Sequence, residues 1–145
     1  MDDLERLEKA IAIAVDAHRG QKDRYGAPYI LHPLRVMARV GSAAEKTVAV
    51  LHDVVEDTDW TFADLKREGF SDSIIEALKC LTKKRGEPYD ELVKRSDLNP
   101  LAHPVKVADL EDNMDLRRMS VVTDQDWARL KKYLAAWRLL TESEQ

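Results

Sequence analysis

Residues 51–58, LHDVVEDT, place one histidine and three acids among Leu51, Val54 and Val55. On one α-helix, side chains four apart stack, so His52 lies over Glu56 and Asp53 over Asp57, with valines beside them. Three carboxylates that close repel one another and lose solvation when the helix packs, so stability alone does not account for them. A divalent cation would, if further ligands arrive from elsewhere. His32, in YILHP just before an expected helix start, and Asp109, in the otherwise apolar VKVADLEDN, are the candidates. His32, His52, Asp53 and Asp109 together offer two imidazoles and two carboxylates. They neutralise a divalent charge and leave two positions of an octahedron for water and substrate. Each residue alone has a plainer account. A histidine before proline caps a helix, a lone Asp109 faces solvent, and an isolated His-Asp pair means little. With Glu56 and Asp57 added, surface chance is the harder explanation. His18 and His103 have no acidic neighbour at metal-site spacing and read as structural or surface residues.

The elements that must hold these groups read as helical almost throughout. Leu4, Leu7, Ile11, Ala14 and Val15 recur at helical spacing, and Gly20 follows as a stop. GQKDRYGAPYI is a loop. HPLRVMARVG starts a helix with Pro33 at its first position and stops at Gly41. SAAEKTVAVLHDVVED reads as one continuous, central helix. Thr61 and Asp64 have capping-box spacing before a short helix that ends at Gly69. SDSIIEALKCLT, EPYDELVKRSDL and NPLAHPVKVADLEDNMD follow, the last with Pro104 in its first turns. In the final helix Trp127, Leu130, Leu134 and Trp137 form one stripe and read as core anchors. No alternating β-run, repeat or linker interrupts the pattern, so the expected fold is all-α, a single helical bundle over residues 1–145.

Composition narrows the function. The 145 residues are 44% hydrophobic and 34% charged, a globular mixture. A net charge of −4 argues against general nucleic-acid binding but leaves room for a small anionic ligand in a local positive field. Cys80 is the only cysteine, which excludes an internal disulfide and a cysteine-ligated zinc cluster. The charged N-terminus and the lack of an apolar run of membrane length make the cytoplasm the expected compartment.

The His…His-Asp…Asp order resembles the HD-domain superfamily of metal-dependent phosphohydrolases, which are all-helical. AHRGQKDRYGAPYILHP, LHDVVEDT, LTKK and VKVADLEDNM further resemble successive signatures of the hydrolase domain of bifunctional alarmone synthetase/hydrolases, and equally the stand-alone small alarmone hydrolases. The similarity runs from about Ala17 to Asn113. It implies that His32, His52, Asp53 and Asp109 hold the metal, usually manganese. It also implies that Glu56 and Asp57 act on the nucleophilic water and the leaving group. Asn113 would contact the nucleoside, and the loop carrying Lys22 and Arg24 would approach base and phosphates. The implied reaction removes the 3′-pyrophosphate of guanosine tetra- or pentaphosphate, giving pyrophosphate and GDP or GTP. The implied partner is thus a small anionic nucleotide, with no nucleic acid and no membrane. No synthetase or regulatory domain is expected within the chain.

Two departures from the long enzymes touch the nucleoside end. Lys22-Asp23-Arg24 stands where consecutive basic residues are typical, and Met114-Asp115-Leu116 where Met-Arg-Thr is typical. The alternatives are an HD phosphohydrolase acting on an adenosine alarmone or NADPH, and a catalytically silent nucleotide-binding module. A cyclic-dinucleotide phosphodiesterase is disfavoured by the missing Gly-Tyr-Pro signature. Lys22, Arg24, Arg35, Lys106 and Arg117 are the cations available to a polyanionic substrate. The tryptophan-bearing last helix is compatible with a homo-oligomer interface, packing being the simpler reading.

Overall fold

The computed structural model describes residues 1–142, and these form nine α-helices and one 3-10 turn without a strand. Helix α1 (Asp3–Ala17) opens on a capping box in which the Asp2 carboxylate accepts from the Glu5 backbone N–H and Glu5 reciprocates. It ends before Gly20, whose φ of +83° carries the chain into the loop. Helix α2 (Leu31–Ala38) follows that loop, then α3 (Ala43–Leu51) behind a Ser42/Glu45 capping box.

Val48, Ala49, Val50 and Leu51 are all buried, so the C-terminal half of α3 is enclosed on every side and runs through the middle of the molecule. It packs against α1, α2, α6 (Asp72–Leu81) and α8 (Ala102–Asn113). The main core forms there, from Ala10, Ile13, Val36, Leu51, Ile75, Leu78 and Val105 among others. Each buried aliphatic side chain contributes about 1.5–3 kcal/mol relative to exposure. A second cluster of Val93, Leu110, Ala136 and Leu140 joins α7 (Tyr89–Asp97), α8 and α9 (Asp124–Glu142). The carbonyls left over at the end of α6 are met by Arg95 of α7, which donates to the oxygens of Lys79 and Thr82 at 3.0 and 2.9 Å.

Several expectations change in three dimensions. The continuous helix through LHDVVED is broken: α3 stops at Leu51, His52 and Asp53 form a turn, and α4 (Val54–Asp57) is a single further turn. The His52 ring packs into this turn, where Nδ1 sits 2.5 Å from the Ala49 carbonyl oxygen, which also accepts from the His52 backbone N–H at 3.4 Å. Helix α2 begins at Leu31, so His32 lies inside its first turn and Pro33 is third. Proline fits there because the first N–H groups have no intrahelical acceptor.

The Trp127 stripe is also not the buried one. Trp127 and Leu134 are 50% and 41% exposed, whereas Tyr133, Ala136, Trp137 and Leu140 face α7 and α8. Trp137 packs there and donates Nε1–H to Glu111 at 3.2 Å. Short α5 (Phe62–Arg67) carries the expected Thr61/Asp64 capping box.

Candidate metal centre

Three separate elements bring the four predicted ligands to one point. The first turn of α2 supplies His32, the break between α3 and α4 supplies His52 and Asp53, and α8 supplies Asp109. His32 Nε2 lies 2.9 Å from Asp109 Oδ1 and 3.7 Å from Asp53 Oδ2. His52 Nε2 lies 3.0 Å from Asp53 Oδ2 and 3.5 Å from Asp109 Oδ1. One ligand atom from each of His32, His52 and Asp109 falls within 4.8 Å of the others. All three residues are buried, and the Asp53 side chain is 14% exposed.

The hydrogen-bond partners decide which ring nitrogens face the cluster. A carbonyl only accepts, so His52 Nδ1 donates to Ala49 and the neutral ring has its lone pair on Nε2. That Nε2 is buried without a well-aligned hydrogen-bond partner, despite its closeness to Asp53. His32 Nδ1 donates to Asp112 Oδ2 at 2.7 Å and again turns Nε2 inward. The Asp112 carboxylate is fully buried and also accepts from Arg35 Nε at 2.7 Å. This is the carboxylate–histidine arrangement that orients metal-binding imidazoles. The donor set therefore fits a divalent cation.

Charge points the same way. Burial works against protonating either imidazole, yet Asp109 and Asp112 raise the His32 pKa, and Asp53 and Asp109 raise that of His52 well above the ordinary range. Asp53, opposed by its burial, is brought down to about 2 chiefly by His52, and Asp109 falls well below the usual range through Lys106 and the histidines. The carboxylates thus favour positive charge beside the two rings, charge that a bound cation would equally supply. Lys106 is buried and donates to Asp109 Oδ2 at 3.1 Å. Asn113 donates to Asp109 Oδ1 at 3.1 Å, and the Tyr29 hydroxyl to Asp53 Oδ2 at 2.5 Å.

The cluster forms the floor of a cleft of about 540 Å³. Glu56 lines it, and its carboxylate accepts from the Lys83 backbone N–H at 3.3 Å. Asp57 lies outside the lining; its backbone carbonyl accepts from Gln21, whose side-chain oxygen meets buried His18. Partial desolvation and then the Asp53 charge raise the pKa of both Glu56 and Asp57. Lys22, Arg24 and Asn113 line the cleft as expected. Arg35 instead serves Asp112, and Arg117 is tied to Asp115 outside the lining. His103 is structural, bonding the Leu140 carbonyl at 2.9 Å and so joining α8 to α9.

Sequence reasoning passed over Tyr29 and Asp112 as site residues, and over Lys83, Arg118, Arg129 and Lys132, which also line the cleft. Asp112 had a legible signal, since it stands one helical turn from Asp109. Lys83 stood within the LTKK signature without being assigned to the site, and Lys132 had no signal, because only the packing of α9 brings it there.

No family model matches the chain. The guanosine-3′,5′-bis(diphosphate) 3′-pyrophosphohydrolase MESH1 of Danio rerio is 30% identical over 140 residues, covering 88% of this chain and 77% of that protein. The chain belongs to this family. The enzyme of the same name from Aquifex aeolicus is 29% identical over 97% of this chain, and the chain spans 23% of that relative's length. The chain spans 15% of the Streptomyces coelicolor GTP pyrophosphokinase, at 34% identity. A solved structure of a metazoan SpoT orthologue that hydrolyses ppGpp superposes with a TM-score of 0.72 at 23% identity, covering 93% of this chain and 84% of that one. The all-helical architecture is thus the helical HD-domain fold. Among the described residues, no helix of this family member is long and apolar enough to cross a membrane.

Proposed function

We propose that the chain is an HD-type phosphohydrolase domain that removes the 3′-pyrophosphate of guanosine 3′,5′-bis(diphosphate) and related alarmones, in the cytoplasm and with manganese as its cation. The observation that carries this reading is the convergence of two imidazole Nε2 atoms and two carboxylates beneath a cleft lined by Lys22, Arg24 and Lys106, in a member of this family. His32, His52, Asp53 and Asp109 would hold the cation. Such a cation supplies Lewis acidity at the phosphoryl oxygen and acidifies water.

The chain's own residues account for the proton movements. Glu56, at the edge of the cleft with a raised pKa, orients the attacking water and accepts its proton. The water oxygen joins the phosphorus next to the ribose as the bond from that phosphorus to the 3′-oxygen breaks. The departing 3′-oxygen takes a proton, for which Asp57 is the assigned donor. Glu56 and Asp57 are adjacent, and the charge of Asp57 adds to the upward shift of Glu56. Lys22, Arg24 and Asn113 are assigned to the nucleotide.

The test is incubation of pure protein and manganese with guanosine tetraphosphate, followed by separation of products. Equal amounts of pyrophosphate and GDP are expected. Release of orthophosphate from NADPH, with guanosine tetraphosphate left intact, would replace this reading with the general phosphohydrolase.

A further inference from the structure

One wall of the cleft is built by the turn after α6, the start of α7 and the face of α9, apart from the glycine loop. It carries Lys83, Tyr89, Lys132 and Tyr133, with Lys106 and Arg129 beside them. Arg129 is paired with Asp126 and Lys106 with Asp109. Lys83 and Lys132 have no carboxylate partner for their ammonium groups among the described residues. Lys132 Nζ instead lies 4.5 Å from the Tyr89 ring centroid and 5.4 Å from that of Tyr133, with Lys106 Nζ 5.4 Å from Tyr89. The Tyr89 hydroxyl is buried without a hydrogen-bond partner. Partial burial, followed by the positive charges of Lys106, Arg129 and Lys83, holds Lys132 below the usual lysine range.

Cations gathered in a concave surface repel one another, and tyrosine rings relieve only part of that. An ordinary solvated helix face spreads its charges outward; this one turns them into the cavity that ends at the metal cluster. The turn is also held in place. Arg95 fastens it through the Thr82 carbonyl and Glu87, and the Lys83 N–H meets the Glu56 carboxylate at 3.3 Å. The Lys83 backbone therefore adjoins the acid assigned to the water.

We infer that Lys83 and Lys132, with the Tyr89 hydroxyl between α7 and α9, form an anion subsite that takes the terminal phosphate of a diphosphoryl group. A phosphoryl group on the metal cluster has its nucleoside toward one wall and any further phosphate toward another. Asn113 is assigned to the nucleoside and the loop of Lys22 and Arg24 to base and phosphates, so this separate wall offers the second phosphate cations of its own. The inference deepens the proposed reading, because such a subsite favours a diphosphate ester over a monophosphate ester at the same centre.

Calorimetric titration of the metal-loaded chain with inorganic pyrophosphate and with orthophosphate tests it. Wild type should bind pyrophosphate more tightly than orthophosphate. The double variant Lys83→Gln/Lys132→Gln should lose about tenfold or more of the pyrophosphate affinity, the scale of a charge-assisted contact. It should melt as wild type does, since both side chains are exposed. Lys94→Gln, on exposed α7 surface outside the cleft, should change nothing. Unchanged affinity in the double variant, equal binding of the two anions by wild type, or an equal loss in Lys94→Gln overturns the subsite. The two readings fail separately. Pyrophosphate bound through these lysines with no hydrolysis of a 3′-diphosphate removes the activity and keeps the subsite. Normal hydrolysis with the double variant binding as wild type does the reverse.

Discussion

The floor and the walls of the cleft are built by different rules. On the floor, His32, His52, Asp109 and Asp112 are buried, and the polar contacts from ring to carboxylate lie at 2.7–3.0 Å along His32–Asp112, His32–Asp109 and His52–Asp53. On the walls, Lys83 and Lys132 are exposed and without a carboxylate partner among the described residues, and Lys132 rests against the Tyr89 and Tyr133 rings. A buried polar group left without a partner costs far more than an exposed one, so the floor is intolerant of substitution and the walls are adjustable. On the proposed function, the chemistry is set by one region and the choice of nucleotide by another.

Four substitutions sharpen that contrast, in descending effect. Asp53→Ala removes an anion that accepts from Tyr29 and lies 3.0 Å from His52, so metal uptake and turnover should both disappear. Metal analysis and the product assay on the same preparation check this; full turnover in metal-free protein would contradict the whole assignment. Glu56→Gln should keep the fold and the metal while lowering turnover by about 10²-fold, the scale of a lost general base. If the metal leaves with the substitution, Glu56 is a ligand and its role is misassigned.

Asp112→Asn keeps the shape beside His32 and Arg35 but weakens the acceptor for both. Metal affinity should fall by roughly 10–100-fold, as for other carboxylates behind metal-bound histidines. A dissociation constant equal to wild type, with circular dichroism intact, would show that His32 needs no such support.

Arg24→Ala belongs to the walls and should have the smallest effect. Arg24 lines the cleft close enough to Tyr133 for its charge to act on the phenol. A guanidinium stacked on a base discriminates weakly, whereas hydrogen bonds to a base edge discriminate strongly. Wild type is therefore expected to hydrolyse both guanosine and adenosine 3′,5′-bis(diphosphate) with a modest preference, and Arg24→Ala to lower kcat/KM for both by about tenfold or less. A very large wild-type ratio, or no change in either constant, defeats the stacking account.

The sequence by itself determined the helical composition, the capping box at Thr61 and the four side chains that converge on one cluster. Those features are local, or rest on residue types whose presence in a packed helix has few explanations. The helix break at His52 is not legible in hydrophobic spacing, because it goes with the ring's contact to the Ala49 carbonyl three residues back. The same holds for α9. Its tryptophans promised one buried face, but the packing against α7 and α8 selected another, which exposed Trp127 and carried Lys132 to the cleft. A stripe pattern specifies that a helix packs. Which face packs, and which cations it brings along, depends on neighbours far away in the chain.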